Sequence, residues 1–196
     1  MKKVEKHKAI AIPVSFMDDK PRFLTVRDRR FKEWIFVTGG CRKREVFNPI
    51  RCALRELEEE TRGVLDIESG LFTSFTFETT QRSPEELEMD RAAGEHVTLV
   101  YHVFIFFVKI NKTQQALLVQ QFNKQKADME LRKRDKLSIK RTYDENDFMA
   151  FDTLDTFLLK NRWSMITEKV LENPDFEAAL NSINKKPFNI RNASKK

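Results

Sequence analysis

Four glutamates, Glu56, Glu58, Glu59 and Glu60, crowd into five consecutive residues of a segment that otherwise reads as a helix. Asn48 followed by Pro49 supplies its start: Asn can cap free amides, and Pro at the first helical position lacks only a donor the helix does not use there. Ile50, Ala53, Leu54 and Leu57 then recur at helical spacing as a narrow apolar stripe. Glu56 and Glu60 stand four residues apart with Glu59 between them on the same side, so three carboxylates converge. Such a cluster repels itself unless water screens it or a cation sits among the side chains. A solvated acidic face is the plainer outcome for a run of this kind. The alternative is a site for Mg2+ or Mn2+, which bind a few hard carboxylate oxygens and keep positions for water and phosphate.

The wider stretch, GGCRKREVFNPIRCALRELEEETRG from Gly39 to Gly63, favours the alternative. It resembles the signature of the Nudix hydrolases: Gly, five residues, Glu, seven residues, Arg-Glu, an aliphatic, any residue, Glu-Glu, any residue, Gly. Arg55 to Glu60 matches the core without a break, and Gly39 and Glu45 match the opening pair. Two departures stand out. Nine residues separate Glu45 from Arg55, so a strict count back from Arg55 lands on Phe47, and Arg62 is inserted before Gly63. The irregular loop also looks similar to Nudix proteins of large DNA viruses, a group that includes decapping enzymes.

The resemblance implies an α/β/α sandwich with a mixed sheet held between helices. It implies Glu56, Glu59 and Glu60 as ligands of Mg2+ or Mn2+, with a carbonyl at the Gly-Gly turn, taken as Gly40, reaching the ion. Arg55 would orient the glutamates through charge-assisted hydrogen bonds. Glu59 or Glu145 would act as general base, with Asp144 and Asp147 as rivals to Glu145 in the cluster Asp144-Glu145-Asn146-Asp147. The chemistry would be metal-assisted in-line attack of water on a diphosphate.

Composition narrows the partners. A net charge of +6 and a pI near 9.3 favour a polyanion such as RNA, a nucleotide or an inositol polyphosphate. Although 34% of residues are charged, seventeen Phe and 40% apolar residues are ample for a core, and the length suits a single domain over 1–196. Cys41 and Cys52 both fall inside the signature and read as free thiols of a reducing compartment. The N-terminus has no leader-like apolar core, and no run of about 18 apolar residues suggests a membrane span. An intracellular protein is expected, cytoplasmic with a nuclear location open.

Along the chain, Lys8 to Met17 and Arg22 to Asp28 read as a hairpin about a turn at Asp18 to Pro21. Trp34 to Thr38 is an apolar strand ended by Gly39-Gly40, with Trp34 equally suited to the core or the site. Val64 to Ile67 and Leu71 to Thr79 read as strands, and Gln81 to Glu95 as a polar loop on a substrate rim. His96 to Lys109 is the strongest strand; its His96 and His102 lack a third ligand and read as structural. Thr113 to Arg141 is a basic helical insertion, with Leu117, Leu118, Phe122, Met129 and Leu137 as its apolar stripe. A strand at Phe148 to Phe151, closing helices at Thr153 to Leu159, Trp163 to Leu171 and Asp175 to Ile183, and a basic tail over 185–196 complete the chain.

The resulting expectation is a Nudix-type hydrolase of a nucleoside diphosphate-linked substrate, foremost the 5′ cap of mRNA, with RNA as partner. Arg29, Arg30, Arg42, Lys43 and Arg44 would hold substrate near the metal, and Arg132, Lys133 and Arg134 would track phosphates without reading sequence. Diphosphoinositol polyphosphates and dinucleoside polyphosphates are the alternative substrates. A Nudix-fold module that binds RNA or protein without catalysis is the alternative of another class.

Overall fold

The computed structural model describes residues 1–67 and 71–184. Its organising strand is β1 (Lys2–Met17), followed by β2 (Lys20–Asp28), β3 (Trp34–Ile35), β4 (Val37–Gly40) and helix α1 (Pro49–Glu60). Then come β5 (Phe72–Thr79), α2 (Pro84–Ala92), β6 (Glu95–Phe107), α3 (Lys112–Arg134), β7 (Asn146–Asp152), α4 (Leu154–Leu158) and α5 (Pro174–Ile183). The sheet order is β3-β2-β1-β6-β5, with β4 also paired to β1 and β7 to β2.

β1 and β6 run parallel from Lys2↔Glu95 to Val14↔Phe107, which explains why both read as near-continuous apolar runs in their second halves. The other edge of β1 is shared. β2 takes Val14 to Met17 through a hairpin whose Asp18 and Asp19 have φ of 51° and 61°, while β4 takes Lys8 to Ala11. Two left-handed residues match the twist of a two-residue hairpin, and Asp tolerates that region. The segment expected as one strand from Trp34 to Thr38 therefore breaks at Phe36: Ile35 pairs with β2 and Val37 with β1. This crossing delivers Gly39 and Gly40 to the open end of β4, over α1.

Alternation along the strands builds two cores, giving the expected mixed sheet with helices on both faces. Ile10, Ile12, Val14, Val103 and Ile105 face α4, α5 and the wide helical turn at Ile166–Leu171, meeting Phe157, Val170, Phe176 and Leu180. Ala9, Ala11, Leu24, Val26, Phe104 and Phe106 face Cys52, Ala53 and Leu57 of α1 and Phe122 of α3. Burying each such aliphatic or aromatic side chain contributes roughly 1.5–3 kcal/mol, so the apolar stripe fixes which face of α1 looks away from the sheet.

Several local expectations are corrected. Asn48 is the N-cap of α1, but its side chain makes no capping hydrogen bond. Residues 64–67 form no strand but an irregular bend, because the turn at 61–63, where Arg62 and Gly63 take φ of 58° and 72°, redirects the chain. The polar loop at 81–95 contains α2, which begins with a capping box between Ser83 and Glu86. The helical insertion ends at Arg134, not Arg141; Phe122 and Met129 are buried, whereas Leu117 and Leu137 are exposed and outside any apolar stripe. The tail at 185–196 lies outside the described residues.

Candidate metal centre and substrate cleft

The acidic face of α1 is buried. Glu56, Glu59 and Glu60 all turn inward, while Glu58 lies outside and accepts hydrogen bonds from Tyr143 Oη at 2.8 Å and Lys140 Nζ at 3.3 Å. Gly39 makes this arrangement fit: a Cβ there would stand 1.8 Å from Glu56 Cδ, so any side chain would displace that carboxylate from its place under β4.

Arg55 ties the loop to the helix. Its Nε and Nη2 donate to the two oxygens of Glu45, both at 2.9 Å, in a bidentate fork. Its Nη1 donates to Glu56 at 2.6 Å and Glu59 at 3.1 Å, and Nη2 also reaches the Gly40 carbonyl at 2.9 Å. The Gly40 carbonyl, expected at the metal, is thus turned to the guanidinium. Glu45 is held down to about 2 by the Arg55 hydrogen bond, and Arg55 is raised in return. The irregular count in the loop is also resolved: Glu45 stands in the cluster and Phe47 is 93% exposed. A 3-10 turn at Lys43–Glu45 and the residues after it place the two surplus residues on the outside.

Glu60 accepts from the backbone N–H of Thr38 at 3.3 Å and from Asn146 Nδ2 at 3.1 Å. Even so, burial pushes it well above the usual carboxylate range, and neighbouring Glu56 and Glu145 add to the rise. Burial likewise raises Glu56, against the pull of Arg55, with Glu59 and Glu145 pushing the same way. Of the three acidic residues near the last strand, Asp147 is bound bidentately by Arg27 and also by Lys32, and Asp144 by Arg29 and Lys133. Glu145 is the exposed one whose charge acts on Glu56 and Glu60.

Among the described residues, no three His, Cys, Asp or Glu side chains are grouped as ligands of one ion. Arg55 reaches between the carboxylates and draws Glu56 and Glu59 onto itself. The donor set nevertheless suits a hard divalent cation. Three buried carboxylates, Glu45, Glu56 and Glu59, share one largely buried guanidinium, Glu60 is a fourth buried carboxylate held by Thr38 and Asn146, and Arg42 lies 3.7 Å from Glu59. The surplus negative charge is what a cation would offset.

A cleft of about 550 Å³ opens beside this centre, with Lys8, Arg30, Phe31, Thr38, Tyr101 and Trp163 in its walls. Burial lowers Lys8, and the charge of Glu86 on α2, with a smaller contribution from Glu56, partly restores it. Lys8 was not among the expected binding residues; it opens a segment that read simply as the first strand of a hairpin. Arg82, stacked between Glu86 and Asp90 in ion pairs, carries the α2 wall of the cleft.

The expected basic residues divide. Arg42, Lys43 and Arg44 are exposed beside the centre, and Arg30 is at the cleft, 3.4 Å from Glu85. Arg29 binds Glu130 and Asp144, Lys133 binds Asp144 and Glu130, and Arg134 is 3.4 Å from Asp135, so part of that charge is neutralised within the fold. Arg132 is exposed on α3. His102 pairs with His7, ring nitrogens 3.1 Å apart, while His96 lies outside, away from α1.

The NUDIX domain of Shewanella oneidensis NrtR, in complex with ADP-ribose, shares the fold with a TM-score of 0.52 at 10% identity, covering 92% of this chain and 90% of that one. A MutT/nudix family protein from Enterococcus faecalis gives 0.49 at 12% identity, over 78% of this chain and 45% of that one. A NUDIX hydrolase from Nitrosomonas europaea gives 0.46 at 14% identity, over 98% and 92%. No curated protein matches the sequence. The family model for the NUDIX domain matches residues 5–125, from the middle of β1 through the acidic helix and into α3. That is more than half of the chain, so the chain belongs to the Nudix family and is a hydrolase of phosphoric anhydride bonds.

Proposed function

We propose that the protein is a divalent-metal-dependent hydrolase that splits the diphosphate of a nucleoside diphosphate-linked substrate. The observation carrying this reading is the burial of Glu56, Glu59 and Glu60 at one end of α1, the first two held by Arg55, beside a cleft of about 550 Å³. A cleft of that size suits one nucleoside with its phosphates.

Mg2+ or Mn2+ held by Glu56, Glu59 and Glu60 would offset diphosphate charge and acidify a bound water. Arg55 holds two of these carboxylates and the loop glutamate in one frame, so their spacing is set before substrate arrives. Lys8 and Arg30 hold phosphate oxygens, and Phe31 and Trp163 give the base apolar surfaces, with Tyr101 buried behind them. A water oxygen bonds to one phosphorus as the bridging P–O bond breaks. The water proton goes to Glu145, with Glu59 as the other candidate, and the departing phosphate leaves with the bridging oxygen. Glu145 suits the role because it is exposed yet close in charge to Glu56 and Glu60.

Hydrolysis of ADP-ribose, a dinucleoside polyphosphate, a diphosphoinositol polyphosphate and capped RNA in Mg2+ and Mn2+ tests the reading, with Glu59→Gln and Glu60→Gln alongside. Activity surviving in both variants refutes it. Decapping of mRNA is the second reading, and one observation favours it: the 29–33 connection joins Arg30 and Phe31 at the cleft to α3 through the Arg29–Glu130 pair. An RNA leaving the cleft along that path meets Arg132, Arg134 and Lys136. Neutralising these three should flatten the salt dependence of cap release, by up to about 0.7–0.9 in log–log slope for each phosphate that then goes unneutralised. Cap release from long RNA that is unchanged in the triple variant removes the RNA path.

A further inference from the structure

We propose that Arg62, the residue inserted into the signature, is a positioning residue that sets the Asn146 amide against Glu60 and holds Glu145 at the acidic face of α1. The inference rests on the metal-site reading above.

Arg62 is 1% exposed and has φ of 58°, so the inserted residue turns its side chain into the protein just beyond α1. All its hydrogen bonds end on backbone carbonyls: Nε on Tyr143 at 2.8 Å, Nη2 on Asn146 at 2.5 Å and Nη1 on Phe122 at 3.3 Å. Its guanidinium also lies 4.0 Å over the Phe122 ring. Two of these carbonyls bracket Asp144 and Glu145. The clamp therefore fixes both ends of the short piece that carries the base candidate. From the second clamped residue, Asn146, Nδ2 reaches Glu60 Oε2 at 3.1 Å and the Glu60 carbonyl at 3.5 Å. A continuous path runs from Arg62 through Asn146 to a carboxylate of the centre, and the same clamp brackets Glu145 from both sides. A plain strut would need no such ending. An uncharged side chain could fill the volume but could not hold the three carbonyls, whereas the buried guanidinium meets each of them with a charge-assisted hydrogen bond.

Arg62→Met, Arg62→Lys and Asn146→Ala are titrated with Mn2+ by calorimetry without substrate, melted, and assayed for kcat and KM on ADP-ribose. Arg62→Met and Asn146→Ala should each weaken Mn2+ binding about tenfold or more. Where ADP-ribose is turned over, kcat should fall with KM within about twofold. Arg62→Lys, able to reach one carbonyl, should fall between. Because the clamp ends on backbone, Asn146→Ala leaves it in place and carries the test if Arg62→Met does not fold. Unchanged Mn2+ affinity in Asn146→Ala, or in a folded Arg62→Met that has merely a lower melting temperature, overturns the proposal. Glu60→Gln separates the two readings. Affinity lost there but kept in the Arg62 and Asn146 variants defeats this inference alone, while affinity kept in Glu60→Gln defeats the metal site itself.

Discussion

The two ends of α1 both depart from the signature, and the fold absorbs the departures in opposite directions. At the N-terminal end two surplus residues are expelled: Glu45 keeps its place on Arg55 and Phe47 is left in solvent. At the C-terminal end one surplus residue is taken in, and Arg62 becomes a buried clamp on three carbonyls. The difference follows from what surrounds each end. The 42–48 loop has water on its outer side, so extra length bulges at little cost. The α1–α3 junction is closed by Phe122 and the 142–146 connection, so an added residue must either pack or disrupt. An irregularity in a motif is therefore read by its surroundings rather than by its length.

The comparison can be broken at several points. Glu59→Gln, in the last turn of α1 where the signature is unbroken, should show the largest effect, a loss of about a thousandfold in kcat with the fold intact by circular dichroism. Next, Arg62→Met should lower the unfolding free energy by about 3 kcal/mol in urea, because buried carbonyls lose their donor. Glu45 gives the acid dependence of the loop end. Its folded value of about 2 lies below the roughly 4.3 of an unfolded glutamate, so its stabilisation is complete above about pH 5 and is lost as pH falls toward 2. Urea midpoints measured between those values should slope less steeply in Glu45→Gln by on the order of 2 kcal/mol; equal slopes would mean that Glu45 does not hold Arg55 in solution. Smallest of all, Phe47→Ser should change stability by less than about 0.5 kcal/mol. A loss above about 1 kcal/mol there would show that the expelled loop is covered.

Much of the fold was legible because period and composition carry it. The Phe104 to Phe107 run, the hairpin around Asp18-Asp19 and the stripe Ala53–Leu57 lie where alternation and turn chemistry put them. The segment at 64–67 misled because its apolar residues read as a strand, whereas the backbone had already turned at Arg62 and Gly63. Helix α2 was hidden by its charge: PEELEMDRA has almost no apolar face, and its Ser83–Glu86 capping box was the signal that could have found it. Lys8 and Asn146 carry no local mark of the roles their positions give them, since each reaches the site only through partners far along the chain. The charge of α3 was legible, but not its pairing with Asp144 across the connection, which depends on how the helix packs on β7.

By itself the sequence determined the acidic face of α1, because 3.6 residues per turn bring Glu56, Glu59 and Glu60 to one side wherever the helix sits. It determined as well that Arg55 would lie within reach of Glu59, four residues on. Only the tertiary structure decided that Glu45 rather than Phe47 meets Arg55, that the Glu56 carboxylate takes the space a side chain at Gly39 would fill, and that Arg62 turns inward. Those outcomes depend on which backbone passes over the helix and on where space and water remain, and neither is encoded in spacing along the chain.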